Sequence, residues 1–231
     1  MVIKAILFDW VDTLALMEPD WHEIWFKALH EMGVELTEKE MVRGIQSAEL
    51  QIPEGRPLRW TESSDEDDFI RYLQIVLGEA GGRIPERATL LKTVKKIRQW
   101  FYDSSFRLYD DVLPAMKILK SRGIILGVIS NMYDSLNPIC HALKMGHLLD
   151  FTLTSGEAGV SKPEPGIFLE ALKKAGTTAA ATTYVGDQYK IDILGARGAG
   201  LKTVLIDRYD RYPSFKECPR IKDLSELINI I

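Results

Sequence analysis

Four short segments carry residue types able to act together on an anionic centre. They are Asp9-Trp10-Val11-Asp12-Thr13-Leu14, Ser130-Asn131, Gly159-Val160-Ser161-Lys162-Pro163 and Gly186-Asp187-Gln188-Tyr189-Lys190-Ile191-Asp192. One aspartate after a strand is usually a turn or cap residue, and one lysine is usually a solvated charge. Taken in order, the four segments offer carboxylates, a hydroxyl and a lysine. Carboxylates brought together repel unless a hard cation sits among them, and an all-oxygen donor set selects Mg²⁺. A cation, a lysine, a hydroxyl and backbone N–H groups suit a phosphoryl group in transfer. The sequence has no serine elbow and no Cys–His pair, so Asp9 is the natural nucleophile. An aspartate attacking phosphorus gives an acyl phosphate that water then cleaves.

The elements that must hold these residues are legible as short apolar runs. Val2–Phe8, Ile124–Ile129, Phe151–Thr154, Thr182–Val185 and Thr203–Ile206 read as strands, and the chemical segments follow the first four, the third at some distance. Helical spacing appears at Asp111–Arg122, Ser135–Met145, Pro165–Ala175, Ile191–Ala199 and Ile221–Ile230. Continuous apolar strands alternating with helices predict a parallel sheet covered on both faces. Ligands of such sheets sit beyond the carboxyl ends of the strands.

Residues from Met17 to Ser104 read differently, with no convincing strand. Helices are predicted over Asp20–Met32, Thr37–Leu50, Asp65–Leu77 and Glu86–Tyr102, with a polar loop over Ile52–Ser64. Thr37-x-x-Glu40 is a capping box. The aromatic face of Trp21, Trp25 and Phe26 reads as helical core, and Arg56 and Arg59 as solvated loop residues. The expected division is an α/β core over 1–16 and 105–231 with a helical domain over 17–104 inserted after the first strand.

Composition excludes several classes. The 231 residues carry 29 Lys+Arg against 33 Asp+Glu, with 46% hydrophobic and 27% charged residues, as in an ordinary globular chain. No basic run suggests a nucleic-acid face, and no apolar stretch reaches the ~18–20 residues needed to span a bilayer. The first apolar run is too short for a secretory leader. Cys140 and Cys218 form no CxxC pair and read as thiols of a reducing cytoplasm. The four His share no ligand spacing.

Phe8-Asp9…Asp12-Thr13-Leu14, Ile129-Ser130-Asn131, Ser161-Lys162-Pro163-Glu164-Pro165-Gly166-Ile167-Phe168 and Val185-Gly186-Asp187…Asp192 together resemble the haloacid dehalogenase (HAD) superfamily. The likeness is to its branch with a helical cap after the first strand, and to the uncharacterised HAD-like hydrolase-domain proteins that also read Asp-x-x-Asp-Thr-Leu. It covers essentially the whole chain and implies a Rossmann-like core whose cap selects a small phosphorylated molecule. It implies that Asp9 is nucleophile and Mg²⁺ ligand and that the Val11 carbonyl is a second ligand. Asp187 would ligate the ion, and Asp192 would act on it directly or through water. Ser130 would bond a phosphoryl oxygen with Asn131 and Thr13 in support, and Lys162 would neutralise charge.

One departure stands out. Phosphatases of the superfamily carry an aspartate two residues after the nucleophile as general acid and base, worth roughly 10²–10⁴-fold. Val11 occupies that position, and Asp12 stands where glycine is usual. Asp12 substitutes as the acid, or the enzyme is slow and needs good leaving groups, or the protein binds phosphate compounds and hardly turns them over. A 2-haloacid dehalogenase is a further alternative, disfavoured by Val11 and by Gly186-Asp187. Nothing in the sequence decides between monomer and homodimer.

Overall fold

The computed structural model describes residues 2–51, 66–132 and 134–231, so the whole of the loop expected over 52–64, with Arg56 and Arg59, lies outside them. In chain order the elements begin with β1 (Ala5–Phe8), β2 (Ala15–Glu18), α1 (Trp21–Glu31), α2 (Glu38–Gln51), α3 (Glu66–Ala80) and α4 (Arg87–Tyr102). There follow β3 (Ser105–Leu108), α5 (Val112–Ser121), β4 (Ile125–Ser130), α6 (Asn137–Ala142), β5 (Phe151–Thr154), α7 (Ser155–Ala158) and α8 (Pro165–Ala175). The last are β6 (Thr182–Gly186), α9 (Gly195–Gly198), β7 (Lys202–Ile206), β8 (Arg220–Ile221) and α10 (Leu224–Ile230). The chain divides into two compact units, residues 1–16 with 106–231, and residues 17–105.

The first unit is built on a six-stranded parallel sheet in the order β5-β4-β1-β6-β7-β8. Every residue of β1 is fully buried because both sheet faces are covered. Ile6 and Phe8 join Leu126, Val128 and Val204 under Val112, Met116 and Leu119 of α5 and Leu224 and Leu227 of α10. Leu7 turns the other way, with Ile129, Leu153 and Tyr184, beneath Ile167, Phe168 and Leu172 of α8. This period of two explains why the strands read as unbroken apolar runs. Each such side chain contributes about 1.5–3 kcal/mol on burial. Local chemistry agrees with packing: α8 starts at Pro165 and stops at Gly176, which takes φ +59°.

The second unit carries α1 to α4. Trp25 is buried and packs on Tyr72 and Phe69, with ring centroids 5.4 and 6.4 Å away. The Thr37 box is present: Thr37 N–H donates to Glu40 Oε2 at 2.8 Å and Glu40 N–H to Thr37 Oγ1 at 3.3 Å. Phe26 departs from the expected core, being 43% exposed. It follows Trp25 directly, so it points about 100° further round the helix. The side chain of Trp21 lies outside the described residues.

Several expectations need correction. Strand β2 enters the segment read as strand-free and pairs with β3 in a two-stranded sheet. Ile221 ends the two-residue strand β8, and α10 starts only at Leu224 because Asp223 caps it, accepting the Ser225 and Glu226 N–H groups. The helix expected over Ile191–Ala199 is a π-helical stretch, Tyr189–Leu194, followed by α9. Ser135–Met145 is helical only over α6.

Candidate active site

Strand register carries the four segments to one edge of the sheet. Phe8 pairs with Val128 on one side and Val185 on the other. The residues reached next are Asp9 after β1, Ser130 at the end of β4, and Asp187 after β6. From β1 the strand order runs out to β4 on one side and β6 on the other, the switch point where open parallel sheets hold ligands.

The loop after β1 is tightly closed. Asp9 N–H donates to the Val185 carbonyl at 2.9 Å, and the Trp10 carbonyl accepts from Leu14 at 2.9 Å and Ala15 at 3.0 Å. Asp12 N–H donates to the Ala15 carbonyl at 2.9 Å. Asp12 takes φ +61°, a left-handed conformation that aspartate adopts more readily than most side chains. That is how a position suited to glycine accepts an aspartate. The Trp10 side chain is fully buried, edge-on to Phe106 at 5.7 Å, and belongs to the core.

Asp9, Asp187 and Asp192 are buried, and each offers an oxygen within 4.8 Å of the other two. Lys162 is buried among them. Its Nζ donates to Asp9 Oδ1, to Asp192 Oδ1 at 2.7 Å and to the Tyr184 hydroxyl at 3.1 Å. Burial pushes the Lys162 ammonium down, but the charges of Asp192 and Asp9 outweigh it and hold the lysine above its ordinary range. Burial pushes the Asp9 carboxyl up to about 6 against the opposing charge of Lys162. Asp187 is raised well above the usual carboxylate range, first by burial and then by Asp9, Asp12 and Asp192. A cation bound here relieves that strain.

Asn131 positions Lys162 through the backbone, accepting the Lys162 N–H at 2.9 Å and donating to its carbonyl at 3.0 Å. Ser130 Oγ accepts the Met132 N–H at 3.3 Å. Thr13 Oγ1 is buried without a hydrogen-bond partner among the described residues.

Asp192 sits on the π-helical stretch, a feature frequent at functional sites. Its Oδ1 accepts from Lys162 and from the Tyr184 hydroxyl at 3.0 Å, and its Oδ2 accepts the Gln188 N–H at 3.0 Å. Gly186 makes this possible, since a Cβ there would overlap the Asp192 carboxylate. Asp187 Oδ1, by contrast, is buried with no hydrogen-bond partner among the described residues.

Sequence reasoning missed the loop after β7. Arg208 donates to both Asp111 oxygens, at 3.1 and 3.0 Å, and twice to the Thr13 carbonyl, at 3.2 and 2.8 Å. Its guanidinium stacks on Tyr109 at 3.8 Å. This braces the loop that carries Asp9. Arg211 reaches Asp12 and Asp187. The available signal was that β7 ends on the same edge as the other strands, so Asp207-Arg208-Tyr209-Asp210-Arg211 falls under the same rule as the rest.

Fold and site define an α/β enzyme core whose strand ends gather carboxylates around a buried lysine. The profile of the haloacid dehalogenase-like hydrolase family matches residues 3–200, and the chain belongs to that family. A glyceraldehyde 3-phosphate phosphatase from Methanopyrus kandleri is 29% identical over 222 residues, 90% of this chain and 85% of the relative. Haloacid dehalogenase-like hydrolase domain-containing protein 3 from Danio rerio is 25% identical over 221 residues, 94% and 90% of the two chains. A magnesium-bound HAD-hydrolase from Bacillus subtilis superposes with TM-score 0.69 at 20% identity, covering 100% of this chain and 99% of the other. Solved dehalogenases share the fold as well.

Proposed function

We propose that this protein is a Mg²⁺-dependent phosphohydrolase acting on a small soluble phosphate ester through an aspartyl phosphate at Asp9. The carrying observation is Asp187 Oδ1, a buried carboxylate oxygen with no hydrogen-bond donor among the described residues, in an all-oxygen cluster. That donor set fits a hard divalent cation, with Asp9, Asp187 and the Val11 carbonyl as ligands. Asp192, which already holds donors on both oxygens, would act on the ion directly or through water, and it aligns Lys162. When bound, the ion neutralises phosphoryl charge and lets an anionic nucleophile approach an anionic ester.

Asp9 attacks phosphorus, and the ester P–O bond breaks with the electron pair leaving on the alcohol oxygen. Water then attacks the phosphorus of the acyl phosphate, releasing phosphate and regenerating Asp9. Lys162 favours the ionised form of Asp9 before attack and orients it, and Ser130 Oγ and Thr13 hold phosphoryl oxygens. The relatives named as phosphatases support this chemistry over dehalogenation, which the shared fold alone does not separate. We assign the choice of substrate to the inserted helical unit. The two free cysteines fit a reducing cytoplasm.

Hydrolysis of an activated aryl phosphate by the purified protein is expected to require Mg²⁺ and to vanish in EDTA. Turnover that persists in EDTA, or chloride release from a 2-chloro acid instead, overturns the proposal.

The proton donor is the weak part of the site. Val11 transfers no proton, and Asp12 faces Arg211 and Tyr209. Val11→Asp is therefore expected to raise kcat on an alkyl phosphate by about 10²-fold, the lower end for a positioned acid. An aryl phosphate, whose leaving group needs little help, changes far less. Steady-state kinetics on the two esters check this. An unchanged Val11→Asp enzyme combined with loss in Asp12→Ala shows instead that Asp12 already serves as the acid.

A further inference from the structure

The loop after β7 brings a cation to this site that no motif assigns. Arg211 Nη1 lies 3.4 Å from Asp187 Oδ2, and Nη2 lies 3.3 Å from Asp12 Oδ2. The loop that carries it is folded on a buried carboxylate. Asp207 accepts the N–H groups of Arg211 at 2.7 Å and Tyr212 at 2.8 Å, and the Arg220 Nε at 2.8 Å. The Arg211 guanidinium also lies over the Tyr209 ring, 4.7 Å from its centroid, and the Tyr209 hydroxyl donates to Asp12 Oδ1 at 3.5 Å. Arg211 is thus anchored at its backbone, while its side chain rests against Tyr209 and keeps 26% exposure.

Two features say what it does there. The first is charge. Lys162 pairs with Asp9 and Asp192, and Arg211 pairs with Asp12 and Asp187. Arg211 therefore supplies positive charge to the same Asp187 that the ion needs. The second is distance. Charge-assisted N–H···O contacts close to about 2.7–2.9 Å when tight. At 3.3 and 3.4 Å the guanidinium is loosely seated and can yield.

We propose that Arg211 is the internal counter-ion of the cation site, drawing Asp12 and Asp187 together before the ion binds and competing with it afterwards. Arg211 thereby sets the affinity for Mg²⁺. This rests on the Mg²⁺ reading above. The test is calorimetric titration of MgCl₂ into the EDTA-stripped full chain. Arg211→Met, which keeps the stem and removes the charge, is expected to bind Mg²⁺ about tenfold more tightly, the Coulomb effect of one charge beside a divalent ion under water-like screening. Arg211→Lys keeps the wild-type affinity. Melting in EDTA gives a second readout, with Arg211→Met less stable than wild type and more strongly stabilised by Mg²⁺. Arg211→Gln repeats both measurements if the methionine variant aggregates. Affinity unchanged within about twofold, or weakened, in the neutral variants overturns the role of Arg211, provided Asp187→Asn abolishes binding. No Mg²⁺ binding by the wild type overturns the metal reading itself and this inference with it.

Discussion

Asp9→Asn is expected to lower kcat on an activated aryl phosphate by about 10⁴-fold or more, the scale of losing a nucleophile whose partners act as a unit. The amide has nearly the shape of the carboxylate but forms no phosphoryl ester that water can cleave. The same substitution is expected to leave stability in EDTA at pH 7.5 equal to wild type or above it. The reason lies in the sign of the Asp9 shift. Burial carries its carboxyl up to about 6 even with Lys162 in contact, so the folded protein disfavours the ionised form relative to the unfolded chain. That penalty is in force above the folded pKa and fades as the pH falls below it. A neutral amide is exempt from it, and Lys162 keeps its bond to Asp192. Lost turnover with an undiminished melting temperature marks a residue that strains the fold for the sake of chemistry. Retained turnover removes Asp9 as nucleophile, and lost turnover with a large fall in melting temperature makes it structural.

Parts of this site were legible in the sequence because they obey short-range rules. Asp9, Ser130 and Asp187 each follow or end an apolar run, and parallel strands in register deliver such residues to one edge, whereas Lys162 lies beyond α7 and was legible through its Ser161-Lys162-Pro163 motif. Asp192 was legible as a position but not as a geometry. The π-helical turn that lets it bond both Lys162 and its own Gln188 N–H depends on Gly186, whose role appears only when the carboxylate is seen lying where a Cβ would be. Asn131 reads as a phosphate-side residue in the motif, whereas its amide is engaged with the Lys162 backbone. Arg208 and Arg211 were hidden because their partners are distant in the chain. Asp207-Arg208-Tyr209-Asp210-Arg211 looks like an ordinary polar turn, yet Arg208 bonds Thr13 across 195 positions and Asp111 across 97. Strands β2 and β3 escaped for the same reason. Each has four residues, and the helical insertion separates them, so neither shows an alternation long enough to stand out.

Lys162→Met carries the other large effect, and it separates two jobs that the lysine performs. In the folded protein Lys162 is the only cation that touches both Asp9 and Asp192 among the described residues. Its raised pKa means that its contribution to stability is fully present below the unfolded value of about 10.4 and is lost only as the pH climbs through the higher folded value. At neutral pH the methionine variant therefore loses all of it. Removing one member of a buried ion pair costs about 3–5 kcal/mol, because the abandoned charge stays buried. For a chain of this size that is a fall in melting temperature of about 10 °C in EDTA at pH 8. The deficit should narrow at pH 5.5, where the raised carboxyl of Asp9 takes up a proton and the cluster sheds a charge. It should also narrow in Mg²⁺, which binds the same carboxylates. Activity should behave otherwise. Neither acid nor Mg²⁺ restores an ammonium beside the attacking oxygen, so kcat stays down by about 10³-fold where stability has recovered. Recovery of both together confines Lys162 to holding the fold, and recovery of neither points to a collapsed site.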